Sequence, residues 1–134
     1  MHTFAIKFAI ALCLFTGFAG CTSINALNRT VDSLFEDRQE ENRLAQEKYD
    51  QAKLALDRAA EKKLATWSEA ARRLRDIDRS LAGKGNWRFD SYDEEYHAFC
   101  ILAAEQLDTG RINFSYYDAL RTRKFNEIQT RRKQ

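Results

Sequence analysis

Residues 45–81 read AQEKYDQAKLALDRAAEKKLATWSEAARRLRDIDRSL. Ala45, Tyr49, Ala52, Leu56, Ala59, Lys63, Trp67, Ala70, Leu74, Ile77 and Leu81 recur at steps of three and four. Such steps return to one side of a helix with about 3.6 residues per turn, so they predict a single amphipathic helix. The stripe is narrow and of heptad type, with one four-four stutter at Lys63, where Leu64 is placed to turn inward instead. The intervening side chains are mostly charged, which suits an exposed helix face.

Working outward toward the N-terminus, Ile24, Leu27, Val31, Leu34 and Phe35 keep the same steps. Thr30 or Ser33 is placed to cap a helix start, and Ser33 with Glu36 has capping-box spacing. One helix over residues 30–82 would extend about 80 Å. Toward the C-terminus, Gly83-Lys84-Gly85-Asn86 follows the last apolar position and is expected to stop it. Asp90-Ser91 then offers a new cap, with Ser91 and Glu94 in capping-box spacing. Tyr92, Tyr96, Phe99, Cys100, Ala103 and Leu107 make one face of a second helix, which Thr109-Gly110 ends. Asn113 is placed to cap a third, whose inward face is Tyr117, Leu120, Phe125 and Ile128.

No stretch alternates apolar and polar residues with β-branched enrichment, and the chain has no proline. The expectation is therefore an all-α protein. One long helix forms a stalk, and a C-terminal helical hairpin joins Trp67–Leu81 of that helix in a three-helix bundle.

The 134 residues carry 22 Lys and Arg against 20 Asp and Glu, a net charge of +2, too near neutral for a nucleic-acid footprint. The charge is uneven. Residues 30–50 are acidic, which suits a helix N-terminus, and the C-terminal stretch from Arg111 is basic, which suits a helix end. Arg131, Arg132 and Lys133 are the residues there that would meet an anionic surface or ligand.

The start of the chain has a different character. Met1 to Lys7 is weakly basic, and Phe8 to Gly20 is a run of apolar and small residues with one Thr. Thirteen residues make about 20 Å of helix against about 30 Å of hydrocarbon, too short to span a bilayer but the length of a signal-peptide core. Ala19-Gly20-Cys21 resembles the lipobox of bacterial lipoproteins, with Phe18 where that family usually has Leu. The resemblance implies cleavage before Cys21, a diacylglyceryl group on its thiol and acylation of the new amino group. Thr22, where a retention signal would have Asp, implies the outer membrane facing the periplasm. The resulting division is a leader over 1–20, a tether over 21–29, a helical stalk over 30–60 and a three-helix module over 61–134.

Leu107, Gly110, Ile112, Asn113, Tyr117 and Leu120 resemble the short helical hairpin of the SHOCT (short C-terminal domain) family, with Asn113 where that family usually has Ser or Thr. That resemblance implies an oligomerisation or docking module rather than catalysis.

Candidate chemistry is sparse. Glu94, His97 and Cys100 fall three apart on the second helix. A di-metal carboxylate bundle needs that Glu-x-x-His unit twice, and a structural zinc site usually needs four Cys or His ligands. A Cys–His nucleophile needs an orienting third group and an oxyanion site. The expectation is Cys100 packed in the core with His97 at its edge, no enzyme activity, no cofactor and no metal. The chain is expected to be a membrane-anchored lipoprotein, held by lipid on Cys21, with a structural or protein-interaction role through a protein partner or self-association. The alternative is a periplasmic module that binds an anionic ligand or envelope polymer through the basic C-terminal helix.

Overall fold

The computed structural model describes the backbone from residue 3 and side chains from residue 28. The described residues are all helical, with four helices and no strand. These are α1 (Thr3–Glu61), α2 (Trp67–Leu81), α3 (Ser91–Asp108) and α4 (Phe114–Arg131). The chain divides into two units, residues 1–40 and 41–134.

In the first unit, α1 runs unbroken through Thr30 and Ser33. Ser33 Oγ donates to the Thr30 carbonyl at 3.0 Å within the helix, so these residues do not cap a helix start there. Residues 28–40 are exposed throughout, including Val31, Leu34 and Phe35.

The second unit contains the end of α1 and the other three helices. The single helix expected through residue 82 is broken at residues 62–66. Lys63 stands at φ 57. The Leu64 N–H reaches the Ala59 carbonyl at 2.9 Å, and the Lys63 N–H reaches Ala60 at 3.0 Å. This is a Schellman ending with lysine in the left-handed position that glycine usually takes. Leu64 does not turn inward; it is 78% exposed.

The restart is over-determined. Thr66 Oγ1 accepts from the Glu69 N–H, and the Glu69 carboxylate accepts from the Thr66 N–H, a complete capping box. The two amides before Glu69 point to a different helix. Trp67 and Ser68 N–H donate to the two oxygens of Asp108, at 2.8 and 2.9 Å, from the end of α3. The Ala70 N–H takes the Thr66 carbonyl. All four orphan donors of the first turn therefore have partners.

α2 packs on α3, and α3 on α4. Small residues face each other in this packing: Ala71, Ala103 and Ala104 are buried with Ile101 and Tyr117. Trp67, Phe99, Leu107, Ile112 and Leu120 close around them. α3 starts at the expected Asp90-Ser91 cap, but the capping box pairs Asp90 with Asp93 and not Ser91 with Glu94. Asp90 is its cap, accepting from Tyr92 and Asp93 N–H, while Asp93 accepts from the Asp90 N–H. The turn into α4 follows the sequence reading. Gly110, at φ 72, lets the Gly110 and Arg111 amides reach the Leu107 and Gln106 carbonyls, and Asn113 caps α4 by accepting from Tyr116.

Residues 41–61 of α1 belong to this second unit. Ala45 and Ala60 are buried, and Tyr49 meets the Trp87 ring at 5.5 Å. Glu41 accepts from the Gly85 N–H at 2.9 Å and Asn42 accepts from the Asn86 N–H, pinning the α2–α3 loop.

The left-handed lysine sets a stability test. Lys63→Gly removes the Cβ conflict and is expected to stabilise the fold by about 0.5–1 kcal/mol. Thr66→Ala, which removes the cap acceptor, is expected to cost about 1 kcal/mol. Urea denaturation followed by far-ultraviolet circular dichroism measures both.

Candidate functional site

The second unit holds two polar features in its interior. The first is centred on Asp78, which lies on α2 between the buried Leu74 and Leu81 and is 8% exposed. Trp87 Nε1 donates to Asp78 Oδ1 at 2.7 Å, and His97 Nε2 stands 2.7 Å from Asp78 Oδ2. A carboxylate only accepts, so this Nε2 carries the donated proton. His97 is 3% exposed, stacked on Phe89 at 6.0 Å and met edge-on by Tyr96 at 5.6 Å. One carboxylate thus joins α2, the loop after it and α3, and both of its oxygens are used. Burial of such a group is tolerated because its donors are supplied.

The second feature is a cavity of about 220 Å³ bounded by all four helices. Tyr49, Lys53, Leu56 and Asp57 come from α1, and Trp67, Ala70, Ala71 and Leu74 from α2. Tyr96, His97 and Cys100 come from α3, and Tyr117, Arg121 and Phe125 from α4. The α4 residues are four apart, so they share one helix face. The Arg121 guanidinium lies over the Tyr117 ring at 5.2 Å, beside Tyr96 and Cys100. Burial pushes the Tyr96 phenol up to about 12 and the Tyr117 phenol up to about 12. Burial also raises the Cys100 thiol. All three are neutral at neutral pH, so the groups around Arg121 are hydrogen-bonding but uncharged. Among the described residues, no carboxylate forms an ion pair with Arg121; the cavity's Asp57 pairs with Lys53 at 2.9 Å.

The sequence-derived candidates fall as follows. Cys21 and the leader lie outside the residues whose side chains are described. Cys100 is buried, as expected, and is a free thiol. His97 is not at the core edge but inside, drawn there by Asp78. Glu94 is turned to Arg79 at 2.6 Å and does not join His97. No hydrogen bond links His97 to Cys100 among the described residues, and the raised thiol is the opposite of an activated nucleophile. No group of three or more His, Cys, Asp or Glu suited to a metal occurs among the described residues.

Two of the C-terminal bases, Arg131 and Arg132, are paired internally. Arg131 binds Glu95 at 2.6 Å, and Arg132 binds Asp90 at 2.8 Å and Asp93 at 2.6 Å. Both guanidinium groups also lie over the Tyr92 ring, at 5.3 and 5.6 Å. Lys133 is exposed. These pairs tie the end of α4 to the start of α3.

Asp78 and Arg121 were both missed by sequence reasoning. Asp78 had a signal: Leu74, Asp78 and Leu81 hold the stripe's spacing as well as Leu74, Ile77 and Leu81 do. Arg121 had one too, at i+4 from Tyr117 and i−4 from Phe125. Comparison with protein-family models, curated proteins and solved structures found no match to this chain.

Two outcomes are expected. Asp78→Ala strands the Trp87 and His97 donors in the interior and should cost about 3 kcal/mol in urea denaturation. Asp78→Asn, whose amide oxygen still accepts one bond, should cost less. The second concerns acid. Arg131 and then Lys124 hold the Glu95 carboxyl below its ordinary range. A lowered carboxyl gives stability above the unfolded value that is lost as pH falls through the folded one. Glu95→Gln should therefore flatten the fall in melting temperature below about pH 4.3 and change its slope little at neutral pH.

Proposed function

We propose that the protein is a lipid-anchored component of the bacterial cell envelope, attached through Cys21 and serving a structural or protein-interaction role. The observation that carries this reading is Ala19-Gly20-Cys21 at the end of the apolar run Phe8–Gly20. Acylation at that residue gives durable anchoring, since each buried CH₂ contributes about 0.8 kcal/mol. Thr22 favours the outer membrane facing the periplasm.

In this reading the chain works in two parts: a helical stalk beginning after the anchor, and a C-terminal helical module built on the hairpin around Gly110. Val31, Leu34 and Phe35, exposed on one side of α1, suit a partner helix or a second copy of the chain. No enzymatic step is assigned. The thiol and imidazole that would carry one are engaged elsewhere, Cys100 by burial and His97 by Asp78.

Metabolic labelling with an alkyne fatty acid tests the anchor. Wild type should incorporate label and fractionate with outer membrane, and its mature chain should begin at Cys21. Cys21→Ala should take no label and keep its leader. A wild-type chain recovered unlabelled in the soluble periplasmic fraction would overturn the proposal. Crosslinking in intact cells addresses the second half: a chain that is always monomeric and partnerless excludes the interaction role.

A further inference from the structure

The cavity between the four helices has the features of a binding site rather than a packing defect. A void left by poor packing is lined by apolar groups and stays dry. This one has a permanent cation in its wall. Arg121 cannot be neutralised, carries five donors in a planar fork and is matched by no carboxylate among the described residues. Its neighbours Tyr96, Tyr117 and Cys100 can offer hydrogen bonds but no negative charge. The lining also has an apolar part that includes Leu56, Ala70 and Leu74, with the half-exposed Phe125.

We propose that this cavity binds a small organic monocarboxylate, with its carboxylate on the Arg121 fork and its apolar body against Leu56, Ala70 and Leu74. The carboxylate supplies the counter-charge that Arg121 lacks, in the bidentate geometry a guanidinium favours. The Tyr96 and Tyr117 hydroxyls interact with the same guanidinium and so stand beside the fork. The volume of about 220 Å³ is room for a benzoate-sized molecule. An inorganic anion would satisfy Arg121 but leave the apolar wall wet. A neutral aromatic would fill the wall but leave the cation unmatched. Both halves of the site therefore favour a molecule that is charged at one end and apolar at the other. Lys53 and Asp57 neutralise one another within the lining and add no net charge.

The test is isothermal titration of the full chain, solubilised in a non-ionic detergent, with sodium benzoate, benzyl alcohol and inorganic phosphate. Benzoate should bind saturably at one site, at least tenfold more tightly than either comparator. Arg121→Gln should weaken benzoate at least tenfold. Arg121→Lys, which keeps the charge and loses the fork, should weaken it several-fold and serves if the Gln variant does not fold. Arg123→Gln, an exposed arginine on the same helix, should leave binding unchanged. The proposal is overturned if benzoate does not saturate wild type, if benzyl alcohol or phosphate binds as tightly, or if a folded Arg121 variant binds benzoate undiminished.

Discussion

The second unit depends on one buried carboxylate. Asp78 takes the Trp87 indole and the His97 imidazole on its two oxygens, both at 2.7 Å. Without those donors the acid could not sit between Leu74 and Leu81. Without the acid, an indole N–H and a ring N–H would be left in the interior. The consequences spread from there. Trp87, held by Asp78, meets Tyr49 of α1, and His97 presents a face to Phe89 and an edge to Tyr96. Helix packing through alanine is thin, since such contacts bury little area per residue. A directional polar contact fixes the register that Ala70, Ala71, Ala103 and Ala104 specify only loosely.

A second set of polar contacts works at the helix ends. Asp108 closes the start of α2 from the end of α3, and Arg132 reaches from the end of α4 to Asp90 and Asp93 at the start of α3. In both, an acid at or near a helix end meets donors from another helix. The exposed Arg132 ion pairs contribute little energy singly. Their effect is geometric: each fixes where one helix ends relative to the next. Within the basic C-terminus, Arg131 and Arg132 face acids and the Tyr92 ring.

Helix content, the Gly110 turn and the Asn113 cap were legible because each has a local chemical cause. Glycine enters the left-handed region freely, and an asparagine oxygen reaches an amide three residues on. Three features were not legible. The break at Lys63 uses a residue that normally avoids positive φ, so the apolar stripe ran through it in the sequence; the capping-box spacing of Thr66 and Glu69 was the signal to weigh against that stripe. The capping box of α3 differed from the expected pair, because Asp90 and Asp93 do together what Ser91 and Glu94 would have done one position later. The Asp78–His97 contact and the cavity around Arg121 join residues far apart in the chain, and periodicity within one helix says nothing of partners on another. Of the expected stripe, Ala45, Ala70, Leu74 and Leu81 are buried, while Ala60 and Asp78 are buried in place of their neighbours Ala59 and Ile77.

The break between α1 and α2 also has an order in time. Its local determinants, the capping box of Thr66 and Glu69, are complete within a few residues. Its remote determinant, Asp108, lies forty residues beyond Ser68. During synthesis the chain emerges N-terminus first, so Trp67 and Ser68 leave the ribosome well before the acid that takes their amides exists. Until then the left-handed lysine and the local capping box act without that remote partner. The bend gains its remote support only once α3 is present.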